Sequence, residues 1–114
     1  MLFRSLMLGS DGNFYGTTER GGSIGLGTVF KVTTNGTLTT LASFNNTNGA
    51  YPGAALTLGN DGTFYGTTPY GGSSNYGTIF KVTTNGELTT LVSFDNANGK
   101  YPLAGLTLGS DGNF

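Results

Sequence analysis

The sequence predicts an all-β protein built from β-propeller blades, each a four-stranded antiparallel sheet. Three observations carry that expectation. First, the chain repeats itself every 50 residues: residues 1–50 laid over 51–100 agree at 31 of 50 positions, and residues 101–114 agree with 51–64 at 10 of 14. A period in this range marks propeller blades and solenoids. Second, 10% of residues are charged, 12% are aromatic and 21 are glycine. That composition is poor in helix formers and rich in strand and turn residues, and it holds too many aromatic and β-branched side chains for a disordered chain. Third, Asp-Gly and Asn-Gly pairs recur between short apolar runs, with no helical pattern between them.

The elements are clearest in the second copy, taken in order. Residues 54–58 (AALTL) form an apolar run, read as a first strand, and Gly59-Asn60-Asp61-Gly62 is a tight turn. Residues 63–68 (TFYGTT) are the second strand, followed by a glycine-rich loop over 69–76. Residues 77–83 (GTIFKVT) are the third strand, Thr84-Asn85-Gly86 is a hairpin turn, and residues 87–94 (ELTTLVSF) are the fourth. A loop over 95–102 leads into the next copy. The organisation is therefore one repeat over 1–50, a second over 51–100, and a partial third over 101–114 that holds a first strand and its turn.

Alternation fixes the faces of the third strand. Phe80 and Val82 point one way, while Ile79 and the stem of Lys81 point the other. Both faces carry apolar surface, as a blade sandwiched between neighbours requires. The small residues Gly66, Thr67 and Thr68 suit a crowded position at the end of the second strand. A parallel β-helix fits less well, because its coils are shorter and need no pair of hairpin turns per unit. The N-terminal MLFRSLML superficially resembles a signal peptide, but Leu6 and Leu8 align with Leu56 and Leu58 and with Leu106 and Leu108. It reads as the first strand of a repeat.

The pattern L-x-x-DG-x-FYGTT…GG…GT-[VI]-FKVTTNG-x-LTTL-x-SF…NG-x-x-P, present over essentially the whole chain, resembles the GloVer (Gloeobacter/Verrucomicrobia-type) tandem repeat of bacterial proteins. The resemblance implies a propeller-like architecture and export to the bacterial cell surface. It implies no activity. Two full blades cannot close a ring, since propellers use about four to eight. The expected partners are neighbouring repeats of a longer array, of which this chain reads as a slice, or other copies of itself.

Composition excludes several kinds of chemistry. Cysteine and histidine are absent, so disulfides, thiolate metal sites and imidazole bases are excluded. The net charge of −1 includes only five cations and offers no stripe for a phosphate backbone, so nucleic acid is not an expected partner. No run approaches the roughly 20 apolar residues of a membrane span. No cofactor is expected. GGSIGLG (21–27) does not match G-x-G-x-x-G and precedes a strand, not a helix. Asp11, Asp61 and Asp111 share one slot of the Asp-Gly turn, where a carboxylate accepts a local backbone N–H; they lack the alternating spacing of a calcium loop.

The two copies differ most in two connections. ERGGSIGL (19–26) becomes PYGGSSNY (69–76), and NNTNGAYP (45–52) becomes DNANGKYP (95–102). In an up-and-down blade both emerge on one edge, opposite the uniform turns. Tyr70, Tyr76 and Tyr101, with Asn75, Asp95 and Asn98, are the candidate ligand-binding residues there: flat aromatic faces and amides suited to a glycan or a surface protein. The function expected first is a non-catalytic structural or interaction module of an exported repeat protein. A lectin-like propeller is the alternative. A glycoside-active enzyme using Glu19 and Glu87 comes third, because nothing in their spacing pairs them.

Overall fold

Asp-Gly and Asn-Gly turns alternating with five-residue runs of Thr, Val, Ile and Phe should fold each repeat into a meander, and they do. A computed structural model describes residues 6–114, and these contain eight strands and no helix. The first sheet has β1 (Met7–Leu8), β2 (Phe14–Thr18), β3 (Thr28–Val32) and β4 (Leu38–Ser43) in the order β1-β2-β3-β4. The second has β5 (Thr57–Leu58), β6 (Phe64–Thr68), β7 (Thr78–Val82) and β8 (Leu88–Ser93), in the order β5-β6-β7-β8. All pairings are antiparallel, and their registers match at a shift of fifty: Thr17 faces Val29 as Thr67 faces Ile79. The fold is all-β, as expected, with two blade-like sheets.

Three details differ from the sequence reading. The first strand of the second sheet is only Thr57–Leu58; residues 54–56 lie outside it. Instead of pairing with β6, this segment serves the neighbouring sheet: the Ala54 carbonyl accepts the Thr17 hydroxyl at 3.2 Å, and Leu56 is buried. Each fourth strand carries a β-bulge, since Val29 pairs with Ala42 while Phe30 pairs with Thr40, leaving Leu41 extra. Residues 101–114 repeat the turn, with Gly109 N donating to Asn113 O at 2.6 Å, but no strand is formed there. In the N-terminal strand reading, Met7–Leu8 is strand and residues 1–5 lie outside the described residues.

The apolar core lies between the sheets. Tyr15, Val29 and Phe44 of the first repeat meet Leu56, Phe64, Phe80 and Val82 of the second, all essentially without solvent contact. The Tyr15 and Phe64 rings sit 4.4 Å apart, and Phe44 meets Phe80 edge-on at 5.2 Å. Phe80 and Val82 thus point together into the seam, as alternation required. Backbone bonds tie the loops across it: Gly72 N donates to Asn46 O at 2.7 Å and Ala50 N to Tyr70 O at 2.9 Å. Among the described residues every buried side-chain nitrogen or oxygen has a partner. The buried Thr68 and Thr78 hydroxyls, for example, satisfy each other at 2.7 Å.

Glycine recurs at positions 16 and 66 for a steric reason. A Cβ built on Gly66 would lie 2.7 Å from Phe80 Cζ and 3.0 Å from Leu56 Cδ2, because the outer end of the phenyl ring fills the space beside the glycine. Gly77 is constrained differently: its φ is +110°, and a Cβ would meet the Thr68 carbonyl oxygen at 2.6 Å. Replacing Gly66 with Ala forces Phe80 out of the seam and should cost about 1–3 kcal/mol, the range for an overpacked core. Urea unfolding measures this. An unchanged midpoint would show that the ring can move aside.

Candidate functional site

An antiparallel meander sends its connections alternately to opposite edges. One edge therefore carries the turns β1–β2, β3–β4 and their second-repeat equivalents. The other carries the β2–β3 and β6–β7 loops together with the connections between repeats.

On the turn edge the repeated carboxylate is structural. Asp11 Oδ1 accepts the amide of Asn13 at 3.1 Å, Asp61 that of Thr63 at 3.0 Å, and Asp111 that of Asn113 at 3.0 Å. The carboxylate also accepts a tyrosine hydroxyl, at 2.5 Å for Tyr15 to Asp11 and 3.1 Å for Tyr65 to Asp61. Burial, then the bonded carboxylate, pushes the Tyr15 hydroxyl up to about 12. The bond from Tyr15, with the Asn13 amide, holds Asp11 below the ordinary carboxylate value. Glu87 lies beside the β7–β8 turn on this edge, whereas Glu19 follows β2 on the other, so the strand length separates them. Among the described residues no three of His, Cys, Asp and Glu gather around a possible metal position, and no helix could cross a membrane.

The loop edge is where the repeats differ, and its backbone is firmly held. Thr18 Oγ1 lies 2.7 Å from Thr28 Oγ1 and donates to Arg20 O at 2.8 Å, closing the mouth of the β2–β3 loop. Gly27 N donates to Gly21 O at 2.9 Å and Gly77 N to Gly71 O at 3.0 Å. The connection between repeats is pinned to that loop, with Tyr51 N donating to Leu26 O at 2.8 Å and Tyr101 N to Tyr76 O at 2.7 Å. Both tyrosines have left-handed backbones, φ 56° and 53°, a costly conformation for a bulky residue. The backbone hydrogen bond of each tyrosine to the β2–β3 or β6–β7 loop helps to hold it there.

This frame assembles an aromatic row across the repeats. Tyr51 meets Tyr70 edge-on at 6.1 Å, Tyr70 meets Tyr101 at 5.4 Å, and Tyr101 meets Tyr76 at 5.8 Å. A cation covers each end. The Arg20 guanidinium lies 5.1 Å from the Tyr51 ring centre, and Lys100 Nζ lies 5.6 Å from that of Tyr101 and 5.9 Å from that of Tyr76. At the Arg20 end the row borders an open cleft of about 530 Å³. Tyr51, Tyr70 and Arg20 stand along it, Glu19 adds a carboxylate, and Pro102 and Leu103 bring apolar surface from the third copy.

The structure brings Tyr70, Tyr76 and Tyr101 together in that row. Asn75, Asp95 and Asn98 serve their own loops. Asn75 Oδ1 accepts the Gly71 amide at 3.0 Å, while Asp95 and Asn98 accept each other's backbone N–H at 2.9 and 3.0 Å. Sequence reasoning missed Tyr51 and the pairing of Glu19 with Arg20 (Arg20 Nε to Glu19 Oε1, 4.0 Å) at one cleft. Tyr51 occupies the slot of Tyr101 one period earlier, so the repeat itself held the signal.

Two sheets in one register, packed face to face with a third copy begun beside them, define a tandem-repeat protein of stacked four-stranded sheets. The chain belongs to the Gloeobacter/Verrucomicrobia repeat family, whose model matches residues 3–114. Neither the curated proteins nor the solved structures give a significant match.

The Tyr15–Asp11 bond makes stability fall at both pH extremes. Above the ordinary phenol value of 10.0 the unfolded chain loses the Tyr15 proton while the folded one keeps it up to about 12, so stability declines between those values. Below 3.8 the unfolded Asp11 takes up a proton before the folded one, so the bond's contribution is lost as pH falls. In urea midpoints against pH, Tyr15→Phe should flatten the alkaline decline. A variant that follows the parent curve above pH 10 would exclude Tyr15 as its source.

Proposed function

We propose that the chain is a non-catalytic interaction module whose blades dock head to tail on further copies of the same repeat, from one array or a second chain, and build a propeller ring. The observation that carries this reading is that the buried seam joins two unlike faces and each repeat has both. In the second sheet Val82 is fully buried and Leu88 packs against the core. Their counterparts Val32 and Leu38 line an apolar groove of about 380 Å³ on the first sheet, where Leu38 is 65% exposed. Conversely, Leu41 and Ala42 pack into the seam, while their counterparts Leu91 and Val92 are 46% and 40% exposed. The two outward faces are the two halves of the buried interface, fifty residues out of step.

Residues 101–114 support the same reading. Phe114 stacks on Tyr65 at 4.4 Å as Phe64 stacks on Tyr15, and Thr67 Oγ1 donates to Ala104 O at 3.0 Å as Thr17 does to Ala54. The third copy thus begins to dock on the second as the second docks on the first. Light scattering over a concentration series tests the proposal: the 114-residue chain should associate, and Leu38→Glu or Val92→Glu should each abolish association without changing far-UV circular dichroism. A strictly monomeric parent at high concentration would overturn it.

A second reading, carbohydrate binding at the loop edge, is favoured by the tyrosine row. The uniform turns leave that edge as the one where copies differ, and side chains there stand on a frame fixed by backbone hydrogen bonds.

A further inference from the structure

We infer that the cleft at the Arg20 end of the tyrosine row is a subsite for a neutral pyranose sugar, an inference that rests on the carbohydrate reading above and assigns its place and ligand. The cleft's volume, about 530 Å³, lies within the range of small-ligand sites and gives room for a short saccharide. Its walls include three slots that recur one period apart and are filled differently at the two occurrences. Glu19-Arg20 on one side occupies the slots of Pro69-Tyr70 on the other, and Gly53 that of Leu103. The frame is constant and the lining is individual, so the cleft is assembled only where these two repeats and the third copy meet.

The lining decides the ligand class. Glu19 and Arg20 stand side by side, with opposite charges that cancel. An anion such as a uronate or a phosphate would meet the Glu19 carboxylate, and a cation would meet the guanidinium. A hydroxyl satisfies both at once, because its oxygen accepts from Arg20 while its hydrogen goes to Glu19. Adjacent hydroxyls on a sugar ring offer several such groups in one plane. Facing them, Tyr70 (46% exposed) and Leu103 (78% exposed) present apolar surface that the C–H face of a pyranose can cover. Arg20 rests against the Tyr51 ring, a contact that restricts its side chain before a ligand binds.

The test uses the intact 114-residue chain. Methyl glycosides of neutral hexoses and N-acetylhexosamines, each beside its uronic acid where one exists, are titrated and followed by saturation-transfer NMR and tyrosine fluorescence. At least one neutral glycoside should bind, more tightly than its uronate. Glu19→Gln should weaken it at least about ten-fold, the loss expected for a hydrogen bond to a charged group. Tyr70→Ala should remove binding and Tyr70→Phe should retain it, with near-UV circular dichroism confirming that each variant is folded. Glu87→Gln, beside the β7–β8 turn on the opposite edge, should leave affinity unchanged. A uronate that binds better than its neutral parent, or binding indifferent to Glu19→Gln and Tyr70→Ala, overturns the cleft assignment but leaves a carbohydrate face elsewhere on the loop edge. A folded chain that binds none of the sugars overturns both.

Discussion

The packing of Tyr15 and Phe44 against Phe64 and Phe80 is the interaction on which the rest of this structure depends. A sheet of four short strands has no interior of its own and must bury its apolar surface on another layer. Here the layer is the next copy of the same sheet. Every device within a repeat serves that contact. Gly66 leaves room for the end of the Phe80 ring, and the bulge at Leu41 turns both Leu41 and Ala42 toward the seam. The segment before β5 abandons pairing so that Leu56 and the Ala54 carbonyl can reach the first repeat.

Because the contact joins unlike faces, it has a direction. One copy offers Tyr15, Val29 and Phe44, and the next receives them with Phe64, Phe80 and Val82. A directional interface between identical units propagates until a ring closes or partners run out. This explains why the turns are nearly invariant between copies while the loops are not. The turns are closed internally by Asp and Thr side chains, and the loops project from a frame already fixed by Tyr51, Tyr101 and their backbone bonds. Side chains such as Glu19 and Arg20 can therefore change from copy to copy without disturbing the seam.

Much of this was legible in the amino-acid order because it is local or periodic. The Asp-Gly turns, the second, third and fourth strands, and the opposite facing of Phe80 and Ile79 follow from turn chemistry and alternation. What was not legible depends on contacts between repeats. LTTLASF reads as an ordinary strand, and only the pairing of Val29 with Ala42 reveals the bulge. AALTL reads as a full strand, yet its first three residues answer to the neighbouring sheet. Asn75, Asp95 and Asn98 look like free polar groups in sequence, and in space each closes its own loop. The cleft combines residues from three copies, a placement that no single window of sequence contains.

On this physics the seam, and not either sheet alone, is the unit that folds. Native-state hydrogen exchange on the intact chain tests it most directly. The slowest amides of β2 and β3 and those of β6 and β7 should open with one shared free energy, and Phe44→Ala should lower protection in β7 as much as in β3. If the two sheets open with separate free energies, and the substitution in the first repeat leaves the second untouched, each sheet is stable alone and the seam is not the folding unit.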